Sequence, residues 1–193
     1  VRRALLIASL LLLGCRPVIA ADSLSLAFGS YRSSPVVLTH FSIEKPLAPT
    51  QRVIVSSDAE RSMPRDDGRS SALSLPRDVD GDGYWTVRAE WVELQTDRAW
   101  RNEVKVPLSK LNVAYDMAML TVIFGPNGLL LIGSDKPGNG AADRLNVAAE
   151  CGQRVPASDH AWRNETGIFP EVADVLAYAG SPSGKANCPA PAG

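Results

Sequence analysis

The sequence predicts an α+β domain, mainly β: an antiparallel, sandwich-like sheet with one C-terminal helix packed on it. Three observations carry that prediction. Residues 98–107 alternate, with Trp100, Asn102, Val104 and Val106 on one face and Ala99, Arg101, Glu103 and Lys105 on the other. That period of two marks a half-buried strand with a charged outer face. Gly125-Pro126-Asn127-Gly128 stands between two apolar runs and is the turn signal of a hairpin. Val172, Val175, Leu176 and Ala179 recur at helical spacing, bracketed by Pro170 at the first helical position and Gly180 at the stop.

The remaining elements follow in chain order. Residues 24–29 alternate briefly, 35–43 are apolar and β-branched, and 52–56 make another short strand. From 57 to 82 the chain is polar and broken by Pro64, Gly68 and Pro76, which reads as a long loop. Residues 86–95 pair with 98–107 across a turn at Thr96-Asp97. In the first arm Val87, Ala89 and Trp91 share one parity, while Val92 and Leu94 fall on the other. A bulge or a change of environment near Trp91 would reconcile the two. Residues 109–115 suggest a short helical turn. Residues 119–124 and 129–132 are apolar on both faces, as expected at the centre of a sheet. Residues 136–140 read as a loop, and residues 145–151 as a strand. The helix near the end should lay its apolar face on the sheet.

The N-terminus bears on location. Arg2 and Arg3 precede an apolar run over 4–13 broken only by Ser9. The run is too short for a permanent membrane span and has the flanks of an export signal. It ends in Leu12-Leu13-Gly14-Cys15, which resembles a bacterial lipobox whose cysteine is acylated. Two readings stand. Cleavage before Cys15 makes 1–14 a signal peptide and 15–34 a lipidated N-terminus and tether. Ordinary signal peptidase, cutting after Ala20 or Ala21, would instead remove Cys15 and release a soluble periplasmic protein. Arg16, where an Asp would signal inner-membrane retention, points to the outer membrane, facing the periplasm. The acyl chains would supply about 0.8 kcal/mol per buried methylene.

Either route leaves Cys151 and Cys188 of the three cysteines. An even pair in an exported chain reads as one disulfide, with two free thiols as the alternative. The bridge would tie the Pro/Gly/Ser-rich tail, 181–193, to a single β-rich domain over 35–180. It would close a loop of about 37 residues, worth roughly 3–4 kcal/mol in the chain-entropy model. The absence of a Cys-x-x-Cys pair or a Cys/His cluster argues against redox catalysis and zinc. The full chain has 20 basic and 21 acidic residues, and loss of Arg2 and Arg3 leaves 18 against 21. These charges are interspersed, so neither nucleic acid nor a second electrostatic membrane anchor is expected.

Asp78-Val79-Asp80-Gly81-Asp82-Gly83 is the sharpest chemical motif. Carboxylates at alternate positions with glycine at the sixth match the start of a calcium loop, and Tyr84 would offer its carbonyl at the seventh. The twelfth position is Ala89, where an EF-hand needs a bidentate Glu, and a strand follows in place of a helix. The motif is therefore a candidate for a structural calcium site, not an EF-hand; its alternative is a solvated acidic turn. Otherwise no cofactor is expected. Ser158-Asp159-His160 contains the residue types of a triad, but adjacency is not triad geometry. No Gly-x-Ser-x-Gly elbow occurs. His40 alternates with apolar neighbours and reads as a strand residue rather than a base. No catalytic residue is assigned. Trp91 and Trp100 read as core; Trp85 beside the acidic loop and Trp162 after a polar stretch read as exposed anchors for a protein partner.

The Trp strand Ala89-Glu90-Trp91-Val92-Glu93, the segment Val104-Lys105-Val106-Pro107-Leu108, and the Gly125–Gly128 hairpin occur in that order. This resembles a proteobacterial lipoprotein family of unknown function with a Trp strand, a Leu-Pro segment and a Pro-x-Gly hairpin, over roughly residues 35–150. Val92-Glu93 stands where that family has Ser, and no Trp follows the Gly128 hairpin. Some similar lipoproteins are encoded near type VI secretion lipase effectors, which implies immunity. The expected function is thus a non-enzymatic exported lipoprotein that binds a protein partner, specifically an immunity protein against a periplasm-acting secreted toxin such as a lipase. The alternatives are a calcium-stabilised structural or assembly lipoprotein of the envelope and a small periplasmic hydrolase.

Overall fold

The computed structural model describes residues 19–61, 73–135, 144–164, 170–180 and 188–191. The export signal, Cys15, the loop 136–140 and much of the tail lie outside them. The described strands are β1 (Ser23–Ser30), β2 (Val36–Ile43), β3 (Pro49–Val55), β4 (Leu73–Ser74), β5 (Tyr84–Glu93) and β6 (Arg98–Pro107). They continue with β7 (Asn112–Ala114), β8 (Met117–Gly125), β9 (Leu129–Asp135), β10 (Arg144–Cys151) and β11 (Gln153–Arg154), followed by helix α1 (Val172–Tyr178). Among the described residues they form two sheets, β10-β9-β8-β1-β4 with β7 on β8, and β11-β6-β5-β2-β3. The inner faces of the two sheets share one core, so the mainly β sandwich with a C-terminal helix is the observed class.

Four details differ from expectation. The first sheet is mixed, because β1 pairs with β8 in parallel from Ser23–Met117 to Ser30–Phe124. The chain between them builds most of the second sheet, the long crossover that a parallel pair requires. The expected tether over 15–34 is not one over its described residues: Ile19 and Ala21 pack against the core, and β1 lies between β8 and β4 with Leu24 and Leu26 buried. The segment 109–115 divides into a single 3-10 turn, Leu108–Lys110, and β7. Leu108 and Leu111 are both buried, one at each end of that turn. The helix begins at Val172, with Pro170 in the turn before it.

The core alternates as the sequence implies. Trp85, Val87, Ala89 and Trp91 of β5 and Trp100, Val104 and Val106 of β6 face Leu120, Val122, Phe124, Leu130 and Ile132 across the sandwich. The ring of Trp91 lies 5.1 Å from that of Phe124. The parity change after Trp91 reflects environment. Pairing of β5 with β6 is unbroken through Glu93–Arg98. Leu94 and Val37 are buried against Val172 of α1, with Trp162, Val175 and Leu176 beside them. Helix α1 and the 3-10 turns before it therefore cover this end of the second sheet on its outer side.

The two sheets are tied at one end. Gly128 N–H donates to Glu93 Oε1 at 2.9 Å, and the Thr96 hydroxyl donates to Oε2 at 2.8 Å. Burial pushes the Glu93 carboxyl up, and these two donors partly offset it. Gly128 has φ +78°, and a Cβ there would lie 2.3 Å from the Trp100 ring, so both backbone and space call for glycine. Its carbonyl accepts Gly152 N–H at 2.8 Å. Alongside, Cys151 and Cys188 form the expected disulfide. Asn127 Nδ2 donates to the Cys188 carbonyl at 3.1 Å. Cys188 thereby packs with Ala59, Ile123, Leu129 and Leu131 on the outer face of the first sheet.

Candidate functional site

The residues singled out from sequence do not come together. Trp85 is fully buried between the two sheets, so its reading as an exposed anchor is corrected: β5 begins at Tyr84, and the inward parity starts with Trp85 itself. Trp162 is half-buried. Its indole N–H donates to Asp97 Oδ1 at 2.8 Å, and the Arg163 guanidinium lies 5.0 Å from its ring. It braces residues 161–164 against the β5–β6 turn. His160 Nδ1 lies 3.3 Å from Asp97 Oδ2. Asp159 takes both Arg154 Nη groups, at 2.9 and 2.7 Å, and the Ala99 N–H at 2.7 Å. The Arg154 side chain holds the Asp159 carboxyl below its ordinary value. The Ser158 hydroxyl donates to Glu90 Oε1 at 3.0 Å. These three neighbours thus face three different partners.

The acidic loop is closed by its own amides. Gly81 N–H donates to Asp78 Oδ1 at 2.7 Å and Gly83 N–H to Asp78 Oδ2 at 2.8 Å. Gly83 has φ +83°, a left-handed bend that favours glycine. Asp82 accepts Tyr84 N–H at 3.0 Å and Lys105 Nζ at 3.0 Å. Lys105 also holds the Asp82 carboxyl below its ordinary value. Val79 N–H donates to Glu44 Oε2 at 3.1 Å. Asp80 is exposed. Among the described residues, no three His, Cys, Asp or Glu side chains gather where they could hold one ion.

A different site emerges on the outer face of the second sheet. Its origin is a register shift in β2 between Leu38 and His40. Leu38 faces Trp91 and Phe41 faces Ala89, both inward, although the two are three residues apart. Thr39 is the extra residue, and its insertion turns His40 outward opposite Glu90. The Thr39 hydroxyl donates to the Glu90 carbonyl at 2.9 Å, joining β2 to β5 where the ladder shifts. His40 Nδ1 lies 3.1 Å from the same hydroxyl oxygen.

Around His40 the register builds a two-by-two array of charge: Glu90 opposite Arg101, and Arg88 opposite Glu103. Arg101 Nε and Nη2 both donate to Glu90 Oε2, at 3.0 and 2.6 Å. Arg88 Nε donates to Glu103 Oε2 at 2.7 Å, and its Nη1 to the Lys45 carbonyl at 2.9 Å. The Glu90 side chain is only 5% exposed, whereas that of Arg101 is 57% exposed. Burial of that carboxylate is met by three donors, the two of Arg101 and Ser158, as a buried charge requires. With Leu47, Pro49, Asn102, Cys151 and Gln153, His40 and the four charged residues line a cleft of about 690 Å³. The volume lies within the range of ligand and side-chain pockets.

The cleft offers fixed charges and hydrogen bonds on a strand-built floor. The charged outer face of residues 98–107 is visible in the sequence, but not the residues that lie beside it. The available signal was the spacing of Leu38 and Phe41, two inward residues of opposite parity with a Thr-His pair between them. No protein-family model, no curated protein and no solved structure matches the chain.

Proposed function

We propose that this chain is a non-enzymatic binding protein of the cell envelope, exported as an outer-membrane lipoprotein through Cys15, and that it engages a protein partner through the cleft on its second sheet. Within that reading it is an immunity protein that occludes a secreted toxin acting in the periplasm, such as a type VI lipase effector. The observation that carries the reading is the cleft: four charges and a histidine held on neighbouring strands, with the buried carboxylate fully bonded. Such a surface is preorganised, so binding loses little entropy to ordering. The bonds of Ser158, Asp159 and His160 to separate partners fit a binding role better than hydrolysis.

The test is growth rescue. The product of the neighbouring gene is expressed in the periplasm of a host, with this protein or with its Arg88→Gln variant, which leaves the buried Glu90 bonded to Arg101. Rescue by the parent and loss of rescue with the variant are expected. A harmless neighbour, or equal rescue by both, overturns the reading. Cys15→Ser is expected to move the protein from the membrane to the soluble fraction, and unchanged fractionation overturns the lipid anchor.

A further inference from the structure

The Thr39 hydroxyl has one hydrogen, and the Glu90 carbonyl takes it at 2.9 Å. Towards His40 Nδ1, 3.1 Å away, that oxygen can therefore only accept. A neutral His40 must carry its proton on Nδ1, which leaves Nε2 as a bare acceptor in a residue that lines the cleft. The neighbouring cations keep unsatisfied donors. Arg101 uses Nε and Nη2 on Glu90, and Arg88 uses Nε and Nη1 on Glu103 and Lys45, so each retains one Nη group without a partner among the described residues. Of the two carboxylates, Glu90 has both oxygens occupied and is buried, so the accessible charge on that side of the array is the guanidinium of Arg101.

Resting on the reading of this cleft as the binding face, we infer that it recognises an acidic segment of a protein partner: a carboxylate side chain enters between Arg88 and Arg101 while an adjoining N–H or O–H donates to His40 Nε2. A polypeptide supplies both parts, since every residue but proline carries an amide donor next to its side chain. Thr39 is a positioning residue. It touches no ligand, and its role is to fix which nitrogen of His40 is free. Glu103, 55% exposed, is the opposing feature, and a basic segment would seek it instead.

Nitrogen-15 NMR on the uniformly labelled full chain tests both parts. With the ring neutral, the long-range proton–nitrogen pattern of His40 is expected to place the proton on Nδ1, and Thr39→Val to move it to Nε2. A proton on Nε2 in the parent overturns the role of His40. The probes are acetyl-Gly-Asp-Gly-Asp-Gly-amide and its Lys counterpart. The acidic peptide should shift the His40, Arg88 and Arg101 side-chain signals with at least about tenfold tighter binding than the basic one, the scale of one charge-assisted contact. Arg88→Gln, whose partner Glu103 is 55% exposed, should remove most of that preference while leaving amide signals outside the cleft in place. Equal or tighter binding of the Lys peptide overturns the inference and leaves the cleft a binding face anchored on Glu103. No shift from either peptide also overturns it, and growth rescue by the parent would then move the proposed function to another face.

Discussion

On the outer face of the first sheet Ile123, Leu129 and Leu131 are almost fully buried, under Ala59, Tyr31 and the disulfide-bound Cys188. On the outer face of the second sheet His40, Arg88, Arg101 and Glu103 stand in a water-accessible cleft, while Val37 and Leu94 are covered at one end by α1. The difference follows from β8 and β9 being apolar on both sides. An apolar outer face gains about 1.5–3 kcal/mol per side chain covered, but it needs a cover, and the tail is too polar to pack there unaided. The disulfide supplies the missing hold. The second sheet needs no such device where its outer residues are charged, and that part of its face stays open to solvent.

The comparison can be broken most strongly at the cover. Cys188→Ser should destabilise the protein by about 4 kcal/mol in the chain-entropy model and expose Ile123, Leu129 and Leu131. Urea unfolding, with dye binding to apolar surface, checks it. A loss below about 1 kcal/mol would mean that the cover holds without the bond. Gly128→Ala acts at the tie between the sheets, where the added Cβ meets Trp100 in a left-handed backbone conformation. A loss of about 2–4 kcal/mol is expected from overpacking and strain together, read by thermal unfolding.

The tie also responds to pH, with a sign opposite to that of Asp159. Burial raises the Glu93 carboxyl, so the folded state holds that proton more tightly than the unfolded chain does. Its contribution is full below the ordinary value of 4.5 and is lost as pH rises through the raised value. Arg154 lowers Asp159, whose contribution is present above the ordinary value of 3.8 and is lost as pH falls through the lowered one. Glu93→Gln should therefore remove a gain in Tm that the parent shows on acidification toward 4.5. Asp159→Asn should lower Tm at neutral pH and flatten the acid limb. Tm measured against pH for the three proteins separates the two effects. The smallest change in stability is expected on the open face, where Arg88→Gln with Glu103→Gln should cost no more than about 1 kcal/mol by urea unfolding. A loss of several kcal/mol would make that array part of the scaffold.

Much of the fold was legible because alternation is a local property. The charged arm of β6, the Gly125–Gly128 turn, β10 and α1 each announce themselves within about ten residues. The same locality hides the burial of Trp85: its neighbour is an acidic loop, and only the strand's start at Tyr84 shows which way it points. The parity change at Val92 admitted a bulge in β5 or a second covered face. The answer lay in α1, some eighty residues away, while the bulge itself sits in β2. The cleft was not legible, because each of its residues belongs to a different strand or to a different position along one.

The amino-acid sequence by itself determined the strand periods, the turn at Gly128 and the late helix, and it made Cys151 with Cys188 the expected disulfide, which the structure forms. Tertiary structure decided the parallel seating of β1 against β8, the burial of Trp85, and the outward turn of His40 at Thr39. It also set Glu90 against Arg101. Periodicity reports which side of a strand is apolar. Which strands lie side by side, and in what register, depends on pairing free energies summed over distant segments, and there the charges of this cleft acquire their partners.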